Sequence, residues 1–219
     1  MAVPLLVSAL VLACRGSARG ILTWLGLLGY AAYNCAYYLF GAALNCFFPL
    51  YVVTLVLSVI TLTLALSQID VVALAATFRP RTPVRVIGGY LAFVAFGLAT
   101  VWLAMWAAFV FAGRATPVEP EAFKLVAALD MSLMVTGLTF GGLLLWRRRA
   151  WGYVIAAIAG IQGSLYLLVL SVNSVVAVQR HLAKAPGELP MWGTLAVFTT
   201  AFTLLLLKNV GSVADHPRR

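Results

Sequence analysis

The chain is short of charge. Only 10% of its 219 residues are charged, and acids are the scarcest, with six Asp and Glu against fifteen Lys and Arg. A soluble domain carries about 25% charged residues and roughly 45–50% apolar ones. Here 63% are hydrophobic, more apolar surface than so few charges could cover. Disorder and a collagen-like repeat are excluded by the same composition. The three cysteines, Cys14, Cys35 and Cys46, form no CxxC pair, which argues against a disulfide-rich module, a thiol oxidoreductase and a structural zinc site. Both histidines, His181 and His216, fall outside the apolar runs, so no intramembrane pair exists to ligate haem. HExxH, GxSxG, P-loop and GxGxxG signatures are missing as well. With no nucleophile–base pair or metal set, the expectation is a protein that is not an enzyme, with no catalytic residue, metal or cofactor.

What the sequence has instead is long apolar runs. No charge occurs between Arg19 and Asp70. As one helix those fifty positions would reach about 75 Å, against a bilayer core of roughly 30 Å. The run must fold back. The turn is placed at Gly41–Asn45, with Pro49 in the first turn of the next helix, where a missing N–H is harmless. Further spans are bracketed by charge and proline: Val86–Phe111, Phe123–Trp146, Trp151–Val178 and Met191–Leu207. The sequence therefore predicts an all-α polytopic transmembrane helix bundle, one transmembrane domain over residues 1–219, with six spans plus a short N-terminal helix, seven in all. That first helix, Val3–Leu12, is too short to span comfortably. A start placed too late and a signal sequence are the other readings, although Met1–Ser8 lacks the cations of a signal peptide. Val71–Phe78 is expected to carry the third helix into the cytoplasm. No span has a proline in its middle, which disfavours transporters built on broken helices.

The basic residues alternate between loops. One set holds Arg15, Arg19, Arg79, Arg81, Arg85, Arg147, Arg148, Arg149, Lys208, Arg218 and Arg219, and the other only Arg114, Lys124, Arg180 and Lys184. The positive-inside rule makes the larger set cytoplasmic and puts the C-terminus inside a bacterial-type plasma (inner) membrane. The net charge of +9 is thereby accounted for by topology, and no nucleic-acid partner is expected. Membrane lipids are the expected partners.

Polar groups inside the spans single out one site. Asp130 is the single acid within a span, and intramembrane acids are functional by default. In the second helix Tyr30, Asn34, Tyr37, Tyr38, Gly41 and Asn45 fall within an arc of about 100°. Farther along, Gln162, Tyr166 and Asn173 share one face. Three helices thus offer polar groups at similar depth. The expected ligand-binding set is Asp130, Asn34, Tyr37, Tyr38, Asn45, Gln162, Tyr166 and Asn173, lining an outward-facing pocket for a small cationic or neutral solute, with proton linkage through Asp130. The bland reading is helix packing by Tyr and Asn hydrogen bonds. Thr199 and Thr203 are expected to bond to their own backbone. The small-residue pairs Gly137/Gly141 and Ala156/Gly160 fit close helix crossings, within the chain or in a homo- or hetero-oligomer. A sensor or an accessory subunit of a larger membrane complex is the alternative function. The residues carry no family signature.

Overall fold

The computed structural model describes residues 2–41, 43–180 and 189–211. His181, Lys184, His216, Arg218 and Arg219 lie outside the described residues. The chain is 84% helical, with no strand among the described residues. In order the elements are α1 (Ala2–Cys14), α2 (Ala18–Gly41), α3 (Phe48–Gln68), α4 (Val71–Ala76), α5 (Val84–Ala112), α6 (Pro120–Leu129), a π-helical segment (Asp130–Val135), α7 (Thr136–Trp146), α8 (Ala150–Gln179) and α9 (Leu189–Lys208). α6, the π segment and α7 form one rod. Five helices are long and apolar enough to cross a membrane: α3, α5, the rod Pro120–Trp146, α8 and α9. α2, at 24 residues, is long enough too. Its tyrosines and Asn34 lower its hydropathy below theirs. The 13 residues of α1 reach only about 20 Å.

The boundaries follow the breakers. Pro49 occupies the first turn of α3, as the sequence implied, after α2 stops at Gly41. α5 ends on Gly113, whose left-handed φ of 62° is open to glycine without steric cost. One expectation needs correction. α3 does not continue through Val71–Phe78. It stops at Gln68, Ile69 is extended, and the Asp70 side chain accepts the backbone N–H groups of Val72 and Ala73 to start α4 afresh. An aspartate ahead of an apolar run is an N-cap. α4 then turns back under the bundle and buries Val71 and Leu74 against α8.

α8 is the hub, in contact with α2, α4, α7, α9 and α5, while α1 and α3 lean on α2. Small residues set its closest crossings. A Cβ on Gly141 would meet the Ala156 backbone nitrogen of α8 at 2.9 Å, and at the neighbouring crossing of α7 with α5 one on Gly142 would meet the Gly88 carbonyl at 2.8 Å. Gly160 faces Thr203 as closely, at 2.6 Å, while Gly137 meets Ala159 at an ordinary 3.6 Å. The small-residue faces read from the sequence therefore lie against helices of the same chain. The apolar core built on these crossings, including Leu22, Leu25, Ile87, Leu145, Val154, Ala157 and Leu206, fills one half of the bundle.

That half carries the basic residues. Arg19, at the start of α2, donates to the carbonyls of Lys208 (3.2 Å), the last residue of α9, and of Val210 (2.6 Å) just past it. Phe78 bridges Val210, Gly211 donates to the Thr77 carbonyl and Arg79 to that of Asn209. The Gly88–Trp146 contact and the three-residue turn Arg147–Arg149 put the start of α5 and the α7–α8 hairpin at the same end. Nine basic residues thus share it: Arg15, Arg19, Arg79, Arg81, Arg85, Arg147, Arg148, Arg149 and Lys208. Arg114 and Lys124 sit beyond α5 and on α6, toward the opposite end.

Candidate functional site

Asp130 lies ten residues into the rod, about 15 Å from its start at Pro120, and is 2% exposed. It opens the π-helical segment. There the Thr136 hydroxyl donates to the Met131 carbonyl five residues back, at 3.1 Å. One extra residue in a turn re-phases a helix by about 100°. In an unbroken helix Asp130 would share a face with Gly137 and Gly141. Across the π turn those glycines meet α8 while Asp130 faces α2 and α5. π turns of this kind recur at functional sites.

Both carboxyl oxygens hold a donor. The Tyr33 hydroxyl of α2 donates to Oδ1 at 2.5 Å, and the Trp102 indole N–H of α5 donates to Oδ2 at 3.0 Å. Tyr33 is 1% exposed, and its ring meets that of Tyr166 on α8 edge-on at 5.3 Å. Trp102 in turn meets Phe123 of α6 edge-on at 5.2 Å. Donors from α2 and α5 therefore meet on one carboxyl of the rod, with Tyr166 of α8 behind Tyr33 and Phe123 of α6 behind Trp102. Gln162, one turn from Tyr166, lies against Gly29 of α2, where a Cβ would stand 3.2 Å from its Oε1.

The eight residues expected at the site divide by place. Asp130, Tyr166 and the buried Gln162 stand at the α2–α8 contact or beside it. Asn34 is half-buried next to Tyr33. Tyr37 and Tyr38 are exposed, and Tyr38 stacks on Tyr51 of α3 at 5.5 Å. Asn45 lies past the end of α2, where its side chain accepts from the Phe47 N–H and donates to the Ala43 carbonyl within the turn. Asn173 is exposed, farther along α8. The structure thus brings together Asp130 of the rod and Gln162 and Tyr166 of α8, and leaves Tyr38, Asn45 and Asn173 apart from them.

The two donors to Asp130, Tyr33 and Trp102, were not among the expected residues. Tyr33 sits about 40° outside the polar arc of α2. That arc is the flank of the helix. The buried face holds Leu22, Gly26, Gly29, Tyr33 and Ala36, and its small residues at helical spacing were the available signal. Trp102 lies in an apolar helix with no polar neighbour to mark it.

A second polar group lies nearer the basic end. The Tyr90 and Thr199 hydroxyls are 2.6 Å apart, and the Tyr90 ring stacks on Phe202 at 4.4 Å. Ser164 donates to the Gly160 carbonyl at 2.7 Å, and its oxygen lies 3.4 Å from the Thr203 hydroxyl, from which it can accept. Thr199 and Thr203 therefore bond across helices, contrary to the expectation of bonds to their own backbone. Gly160 leaves room for Thr203 to approach α8.

Cavities among the described residues are open at the surface. One of about 630 Å³ lies between the outer part of α5 and α6, and one of about 480 Å³ between α8 and α9. Asp130 lines neither. Among the described residues no group of three His, Cys, Asp or Glu side chains could hold a metal. Compared with known proteins, the chain matches no family model, no curated protein and no solved structure.

Proposed function

We propose that this multi-pass membrane protein binds a small cationic or neutral solute at Asp130 and moves it with proton linkage. The observation that carries the reading is the carboxyl itself, buried at mid-depth with a donor on each oxygen from a different helix. No Lys or Arg lies at that depth in any span. A carboxylate in hydrocarbon costs several kcal/mol without a partner, so an arriving proton or cation has a strong reason to bind. Tyr33, Trp102 and Tyr166 orient the carboxyl and supply aromatic faces. Gln162 and Asn34 flank the group and offer amides to a neutral solute. The arrangement described is the closed one in this reading, and Tyr37, Tyr38, Asn45 and Asn173 mark the outer approach.

We place the basic end in the cytoplasm of a bacterial inner membrane, because nine arginines and lysines gather there and such residues are retained on that side. With α2 counted, six helices span and the C-terminus is inside. α1 enters from the outer side as a partial seventh.

The test is flux. In proteoliposomes carrying an internal pH dye, methylammonium, tetramethylammonium or a neutral polyol is added outside. The wild type is expected to give a solute-dependent proton signal, and Asp130→Asn to reduce it at least about tenfold. Equal flux in the variant removes Asp130 from the mechanism. A protein that moves none of these probes, and instead retains one partner through Arg147–Arg149, fits the accessory-subunit reading.

A further inference from the structure

The larger cavity reaches the surroundings of Asp130 through Phe123 and, behind it, Trp102. It is lined by Leu103 and Trp106 of α5 and by Phe123, Ala127 and Met131 on the rod. Met131 follows Asp130 in sequence. Phe123 faces the cavity, and its ring also touches Trp102, whose N–H holds Oδ2 of Asp130. Residues on both walls, Trp106 and Ala128 among them, are exposed. At the depth of a span, that exposure is to hydrocarbon. At the rim Lys124 is paired with Glu121 at 2.7 Å, so the rim presents no net charge to attract an anionic headgroup.

We infer that the ligand is an amphiphilic cation dissolved in the bilayer, an alkylammonium in chemical class, which reaches Asp130 sideways through this groove when the Trp102–Phe123 pair parts. The inference rests on the proposed role of Asp130 and adds the substrate class and the route. Each part of such a molecule has a counterpart in the structure. The apolar groove takes the alkyl chain, and its volume lies in the range of small-molecule sites. The carboxyl behind the door takes the charge. When the Trp102 N–H leaves Oδ2 as the pair parts, that oxygen is freed for the ammonium group, and the displaced indole can offer it a ring face. Parting one edge-on aromatic contact opens the way, with no helix broken.

The experiment uses the full chain in lipid nanodiscs and equilibrium dialysis against two probes, dodecyltrimethylammonium and tetramethylammonium. Empty nanodiscs correct for partitioning. Ala128→Trp fills the groove from an exposed position, and Ala127→Phe fills it independently. Both are expected to weaken the dodecyl probe at least about tenfold and to leave tetramethylammonium within about twofold. Asp130→Asn is expected to weaken both probes. If the two filling variants bind the dodecyl probe as the wild type does while Asp130→Asn weakens both, the lateral route is wrong and the role of Asp130 stands. If Asp130→Asn changes neither probe, the route and the role fall together. If the groove retains an anionic phospholipid that the dodecyl probe does not displace, the assigned ligand class is overturned.

Discussion

The bundle holds two buried polar groups, and they are built differently. The one at Tyr90, Thr199, Ser164 and Thr203 contains only hydroxyls, each a donor as well as an acceptor. It satisfies itself, and it sits where Gly160 lets α9 approach α8. The one at Asp130 centres on an ionisable group fixed by donors that cannot neutralise it, at a π turn that bends the helical register to deliver it. Polar side chains in a membrane are thus not equivalent. The first group is adhesive between helices. The second keeps a titratable site at the upper edge of the apolar core, with Met134 of that core one turn below.

Substitutions at the two groups should separate along that line. The largest effect on stability is expected from Gly160→Leu. Its Cβ would meet Thr203 Oγ1 at 2.6 Å, and Thr203 has only one side-chain torsion with which to yield. Overfilling of this kind costs about 1–3 kcal/mol, visible as a lower melting temperature in detergent with probe binding retained in whatever remains folded. Tyr33→Phe comes next. It removes the Oδ1 donor and should cost about 1–1.7 kcal/mol, the upper range for a hydrogen bond within a membrane protein. It should also change the solute-dependent proton signal. Tyr90→Phe is the smallest, about 0.6 kcal/mol, with flux unchanged. A flux defect in Tyr90→Phe as large as that in Tyr33→Phe would dissolve the distinction between the two groups.

The sequence carried the helix boundaries well because the signals that set them are local. Arg114, Arg147–Arg149 and Pro49 stop or start helices for reasons local to the chain. Asp130 was legible on the same grounds, as an acid where hydrocarbon admits almost none. Its partners were not, because contacts between helices depend on which faces meet. The polar arc of α2 drew attention to Tyr37 and Tyr38, whereas the face against α8 is set by Gly26 and Gly29, which carry no chemistry of their own. The π turn compounded this by rotating Asp130 away from the glycines that an ideal helix would align with it. Trp102 had no mark at all, since a tryptophan in an apolar helix reads as lipid contact until its N–H is seen on a carboxylate.

The Arg19 clasp has a consequence for biogenesis. Its guanidinium is made 189 and 191 positions before the carbonyls it holds. Until α9 leaves the ribosome, Arg19, the Thr77 carbonyl and the Arg79 amide wait without the partners they have in the finished protein. Closure of this end of the bundle therefore has to follow synthesis of α9, and until then the nascent chain carries an unfilled seat for that helix.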